Sequence, residues 1–325
     1  MELDAVLKTF LENEKLKLIK RGKTKDVYEL EENEHLLIIA TDRMTVFDKI
    51  FPTPIPDKGK ILSSLSGYWF RFIKENRLIE THYLTEDLSF YQEIPALRYD
   101  FLKKRSMIVK KTIPLPIKCI VRGYLRGSTW NEYQLSGKFC GIKLKTGLKE
   151  SEKLPEPIFI PAVKFKRGER RNISFREMVD EIENWLKDLE RKEVLKGKAS
   201  RSLARSISRF LREISLQLYD IGARIAFKKG LIVADSEFEF GWEEEKERII
   251  LIDEVFTPDS STFWLKETYQ PGFPQINFES KFIIEWLEKI KWHQRLPLPQ
   301  IPEDLVLKTR ERYKEIYQIF TGSVL

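Results

Sequence analysis

The chain has 325 residues, 42% of them hydrophobic and 12% aromatic, with 57 Lys plus Arg against 50 Asp plus Glu for a net charge of +7. That length and apolar content bury a sizeable core, divide readily into two lobes and exclude a disordered polymer. Two cysteines, Cys119 and Cys140, and three scattered histidines exclude a disulfide framework or zinc knuckle and offer no obvious catalytic triad.

Residues 15–50 read as an antiparallel meander, with strands over 15–21, 25–30 and 35–41 separated by short polar turns. A helix follows from Ile61 to Glu75, with Leu62, Leu65, Trp69, Phe72 and Ile73 on its inner side. Ser106–Thr112 is another strand, and Pro114-Leu-Pro116 then breaks the pattern, which places a lobe boundary at 113/114. Ile117–Arg122 is the first strand of the second lobe, residues 114–325. Residues 174–190 and 199–228 are long amphipathic helices, and helical segments over 279–291 and 303–320 flank a proline-rich connector at 297–302. Within 199–228, Arg201, Arg205, Arg209 and Arg212 recur at helical spacing opposite Leu203, Phe210, Leu211 and Ile214. Such a helix can grip a phosphate backbone, but it is more often a solvated face, and nucleic acid is not taken as the partner. No stretch approaches the roughly 18 apolar residues of a membrane span. The Met1 end lacks the basic-then-apolar run of an export signal, so the expected location is cytoplasmic, with no membrane partner.

The most informative segments are two apolar runs that turn acidic, Leu231–Gly241 and Arg248–Trp264, joined by the turn-like Gly241-Trp-Glu-Glu-Glu-Lys. As neighbouring strands they place Asp235, Glu237 and Glu239 on one face by period-two alternation, with Asp253 and Glu254 on the partner. Carboxylates grouped this way resist ionisation unless a cation sits among them, and oxygen-only ligands favour Mg²⁺ shared with substrate phosphates. A solvated acidic edge is the plainer alternative. Two further segments suit phosphate. Gly22-Lys-Thr-Lys-Asp-Val-Tyr28 sets a glycine and two lysines at a strand turn, without the spacing of a Walker loop. Val121-Arg-Gly-Tyr-Leu-Arg-Gly-Ser-Thr-Trp130 combines two glycines with Arg122 and Ser128. Thr41–Asp48 and Ile55–Lys60 are loops crowded with charge that by themselves name no reaction.

Read in series, these segments resemble the phosphoribosylaminoimidazole-succinocarboxamide synthase (SAICAR synthetase) family of purine biosynthesis. The likeness runs in order from about residue 15 to 322. It takes in Gly22–Tyr28, Ala40–Asp48, Ile55–Leu62, Val121–Leu125, Glu150–Phe159, Ala234–Gly241, Asp253–Ser261 and the tail to Gly322. The resemblance implies an α+β, two-lobed ATP-grasp/kinase-like fold, with an antiparallel N-terminal lobe (1–113), an α/β C-terminal lobe (114–325) and nucleotide between them. It implies a ligase that uses ATP and Mg²⁺ to join carboxyaminoimidazole ribonucleotide to L-aspartate through an acyl phosphate. Lys23 and Lys25 would contact ATP phosphates, and Lys110, Thr112 and Pro114 would line the adenine pocket. Glu239 and Asp253 would hold Mg²⁺ and, with Lys23, act in catalysis. Arg122 and Ser128 would bind the ribonucleotide phosphate, and Asp42, Arg43, Asp48, Lys58 and Lys164 would belong to the substrate site.

Several positions depart from the family pattern. Glu237 stands where the family usually has Lys, and Thr262 where it usually has Arg, which removes two cations and adds one anion. Arg126 replaces a small hydroxyl residue, Ala162-Val163 a Ser-Thr pair, Arg170-Arg171-Asn172 an acidic run, and Phe278-Glu-Ser-Lys281 the usual Phe-Asp-Lys-Gln. Either Arg126, Arg170 or Arg171 restores the positive field and the parent reaction, or the chain is a paralogue ligase for another acid and amine, or it binds nucleotide without turnover.

Overall fold

The computed structural model describes residues 16–30, 34–47, 49–90, 94, 99–164, 170–195, 197–275, 277–293 and 296–325. The fold is α+β and has two compact units. One contains the chain up to Arg77, Thr81–Lys111 and Glu279–Leu325; the other contains Leu78–Glu80 and Thr112–Phe278. This differs from the division at 113/114 in one main respect: residues 279–325 group with the N-terminal sheet.

The first unit begins with β1 (Lys17–Arg21), β2 (Lys25–Glu29) and β3 (His35–Ala40), then a small hairpin of β4 (Thr45–Val46) and β5 (Lys49–Ile50). Helix α1 (Lys58–Glu75), β6 (Tyr83–Thr85), the single turn α2 (Tyr99–Leu102) and β7 (Ser106–Lys110) follow. The sheet order is β1-β2-β3-β7-β6, and each pairing is antiparallel. One face buries Tyr28, Leu37, Ile39 and Ile108 with Leu102. Helix α1 starts earlier than its apolar spacing suggests, because Asp57 takes a left-handed φ of 65° and turns the chain into the helix. Leu62, Leu65, Trp69 and Ile73 are buried as expected, whereas Phe72 is only half-buried.

The second unit is built on β8 (Ile113–Tyr124), followed by α3 (Ser128–Ser136) and the short β9 (Lys138–Phe139) and β10 (Ile142–Lys143). Strands β11 (Lys153–Lys164) and β12 (Arg170–Asn172) lead to α4 (Phe175–Arg191) and α5 (Arg201–Lys228), and then to β13 (Leu231–Glu243), β14 (Arg248–Ile252) and β15 (Ser261–Leu265). The order is β12-β11-β8-β13-β14, with β15 also on β13, and every pairing is antiparallel. Pro114 and Pro116 do not break the chain: β8 runs through both. Prolines are tolerated at the start of a strand, and the ladder absorbs them with a register shift between Glu239 and Gly241 opposite Pro114. Helix α4 starts with a full capping box, Ser174 with Glu177, and buries Met178, Ile182, Leu186 and Leu189. Helix α5 passes so close to the loop after β14 that a Cβ on Gly222 would lie 2.1 Å from the Phe256 ring. Its arginine row is solvated, and Arg201 pairs with Asp180 at 2.7 Å and Glu183 at 2.9 Å on α4.

The last helices, α6 (Lys281–Lys289) and α7 (Glu303–Thr321), explain the grouping of the C-terminal residues. Ile283, Leu287 and Val306 share a core with Met44, Val46, Phe51 and Ile55, while Tyr313 packs on Ile61 and Leu62. Phe320 meets Trp69 edge-on at 5.3 Å, and Arg310 binds the Asp57 carboxylate that precedes α1. Among the described residues no helix is long and apolar enough to cross a membrane.

Candidate active site

Strand β13 carries the acidic residues because its alternation puts Ser236, Phe238 and Phe240 into the buried side and leaves Asp235, Glu237 and Glu239 on the other. Glu239 lies opposite Lys118 of β8 on one edge and Ile252 of β14 on the other. Asp253 is therefore the first residue beyond β14, where it takes a left-handed φ of 69°. Lys118 Nζ lies 3.0 Å from Glu237 Oε2 and 3.1 Å from Glu239 Oε1. The three side chains are 21%, 18% and 17% exposed, so the pairing is largely shielded from water. Burial works against the Lys118 charge, but the carboxylates of Glu237, Glu239 and Asp253 outweigh it and hold the ammonium far above its ordinary pKa.

The acidic residues thus have a resident cation that sequence motifs do not reveal. Its only signal is a lone lysine inside the apolar run Ile117–Val121. The expected single cluster of five carboxylates is corrected. Asp235 faces arginines, Glu254 accepts the Thr257 hydroxyl at 2.5 Å, and among the described residues no group of three or more His, Cys, Asp or Glu could hold a metal ion by itself. Glu239 and Asp253 remain as a pair acting on one ammonium. Two carboxylates drawn to one cation are a donor set that would suit Mg²⁺ together with water and substrate phosphates.

Further along β13, Asp235 is buried between two guanidinium groups. Arg126 Nη1 lies 2.7 Å and Arg122 Nη2 3.5 Å from its Oδ2. Arg126 also donates to Thr262 Oγ1 at 3.0 Å and to Asn277 Oδ1 at 3.0 Å. Arg122 donates to the Thr129 hydroxyl in the first turn of α3. Burial alone would raise the Asp235 pKa, but Arg126 first and Arg122 second hold it below the ordinary aspartate value. A carboxylate with a depressed folded pKa stabilises the fold fully above its unfolded pKa, and that contribution is lost as pH falls through the folded value. Asp235→Asn is therefore expected to flatten the acid side of the stability curve below about pH 4, read as urea midpoint against pH.

Within the first unit, Lys23 sits on a turn that the surrounding residues brace. Gly22 N–H donates to Lys25 O at 2.7 Å, and a Cβ on Gly22 would lie 2.8 Å from that oxygen, so glycine suits the closure. Arg43 donates to Lys23 O at 3.1 Å, Gly22 O at 3.0 Å and Asp26 Oδ1 at 2.7 Å. Arg43, expected as a substrate residue, is buried and fastens the turn that presents Lys23. Asp42 is likewise turned inward, accepting from Gly59 N–H at 2.9 Å and Arg105 Nη1 at 3.3 Å. Lys58 is buried with its ammonium 5.5 Å from the Tyr313 ring. Lys25 opens β2 and Lys110 ends β7. In the second unit Thr112 is half-buried and Pro114 exposed. Ser128 opens α3 and Lys164 ends β11, but their side chains, like the whole of Asp48, lie outside the described residues.

Residues 18–299 match the sequence model of the SAICAR synthetase family. The chain belongs to that family. The phosphoribosylaminoimidazole-succinocarboxamide synthase of Thermodesulfovibrio yellowstonii is 44% identical over 320 residues, covering 98% of this chain and 99% of its own length. That of Geotalea uraniireducens is 42% identical over 308 residues, 94% of this chain and 95% of its own. Among solved structures, SAICAR-synthase from Saccharomyces cerevisiae complexed with SAICAR superposes with a TM-score of 0.80 at 35% identity, covering 100% and 98% of the two chains. Against the SAICAR synthetase pattern, the departures at 237 and 262 are each touched by a cation from β8 or the turn after it: Lys118 bonds Glu237, and Arg126 bonds Thr262.

Proposed function

We propose that this chain is the ATP-dependent carbon–nitrogen ligase that joins carboxyaminoimidazole ribonucleotide to L-aspartate, giving SAICAR, ADP and phosphate. The carboxylate of the ribonucleotide attacks the γ-phosphorus of ATP, releasing ADP and forming an acyl phosphate. The aspartate amine then attacks the acyl carbon, loses a proton, and phosphate leaves. The protein's task is to position reactants and neutralise charge, as in other phosphoryl transfers. Lys23 and Lys25 bind ATP phosphates, while Lys110, Thr112 and Pro114 line the adenine. Arg122 and the start of α3 at Ser128 take the ribonucleotide phosphate, and Lys164 serves the same substrate. Glu239 and Asp253 would hold Mg²⁺, which would supply charge neutralisation for the phosphoryl transfer.

The observation that supports this reading best is the division of β13 into two charged sites. An arginine pair at Asp235 and a carboxylate pair at Glu239 and Asp253 are set four residues, about 13 Å, apart along one strand. Such a spacing would let the arginines hold one end of an anionic substrate while the other reaches the carboxylate pair. The missing family cations at 237 and 262 are partly made good, since Lys118 offsets the Glu237 charge and Arg126 reaches Thr262, which favours the parent substrate. Purified protein with ATP, Mg²⁺, carboxyaminoimidazole ribonucleotide and aspartate is expected to release ADP and form the succinocarboxamide together. ADP release only with another acid or amine would refute the assignment.

A further inference from the structure

We infer that Arg126 is a substrate-binding residue, supplying with Arg122 the pair of guanidinium groups that grips the ribonucleotide phosphate. Both guanidinium groups converge on the Asp235 carboxylate just before the start of α3. The Arg126 side chain is held in place from three sides, by Asp235, the Thr262 hydroxyl and Asn277, yet remains 25% exposed. Its three bonds leave further N–H donors of the guanidinium for an anion. A guanidinium oriented beforehand loses little freedom on binding phosphate, and two such groups match the oxygens of a dianion. Thr262 and Arg126 are in contact, and relative to the family pattern they have exchanged character: the hydroxyl stands on β15 and the guanidinium on the turn after β8. The positive group therefore reaches the same place from the opposite strand. Thr262 and Asn277 act as positioning residues that set the plane of Arg126.

This assignment rests on the ligase reading, and two measurements separate them. With wild-type turnover established, Arg126→Thr is expected to raise KM for the ribonucleotide about ten- to a hundredfold, with KM for ATP within about twofold. Arg126→Lys should recover part of the loss. Arg126→Thr combined with Thr262→Arg should recover most of it, because the guanidinium is returned from the other side of the contact. Equal rises in both KM values, or a double variant no better than the single, would overturn the assignment while leaving the ligase reading intact. Should the wild type form no product, thermal shift with inorganic phosphate as probe, at saturating ADP, reads the site without turnover. There wild type is expected to bind phosphate at least about tenfold tighter than Arg126→Thr, and equal affinities would refute the role of Arg126.

Discussion

Glu239→Gln and Asp253→Asn are each expected to lower kcat by about 10²- to 10³-fold while leaving the fold nearly as stable as before. Each substitution keeps the shape and removes one of the two charges that would hold Mg²⁺ in the proposed function. In Glu239→Gln the Lys118 ammonium retains Glu237 at 3.0 Å, so the buried lysine is not stranded and the thermal midpoint should move little. The same variants should weaken Mn²⁺ binding, followed by electron paramagnetic resonance in the presence of ADP, by tenfold or more. Loss of activity with unaltered Mn²⁺ affinity would remove these two residues from the metal site.

Lys118→Met is expected to produce the largest loss of stability. Glu237 and Glu239 lie on one face of β13 and share that one ammonium. Without it two mostly buried carboxylates face each other, and breaking a buried ion pair from one side typically costs about 3–5 kcal/mol. Because the groups retain some contact with water, about 3 kcal/mol is the better expectation, read from urea unfolding at pH 7. Lys118→Glu combined with Glu237→Lys should regain more than half of the loss, since the opposite charges still meet across β8 and β13. A double variant as unstable as the worse single one would show that the pairing is not what stabilises this part of the sheet.

The acidic strands were legible because hydrophobic alternation and a charge-rich turn both point to a hairpin, and Glu239 does lie one strand away from Ile252 and Asp253. The long helices were legible from amphipathic spacing, and Ser174 and Ser200 mark their starts with side-chain caps. The two prolines near 114 misdirect the reading because proline restricts the local backbone without reporting which neighbour the strand will have. Arg43 and Asp42 show a different gap between motif and fold. A motif records that a charge is present at a position, and only the fold shows that these two fasten a turn and a helix start. Lys118 and the contact between Arg126 and Thr262 join residues more than a hundred positions apart, so only the registers of β8 and β15 on β13 bring them into view.

The grouping of Glu279–Leu325 with the N-terminal sheet has a consequence for biosynthesis. Ile61, Leu62 and Trp69 are covered by side chains of the final helix, including Tyr313 and Phe320. A ribosome that has finished Lys111 must still add the remaining 214 residues, 325 minus 111, before that covering exists. At typical rates of translation the interval is about 10–40 s. During it the second unit, continuous apart from Leu78–Glu80, can be completed, while the first waits with an apolar helix face uncovered. Nascent chains stalled before Glu303 are therefore the ones that most need a chaperone.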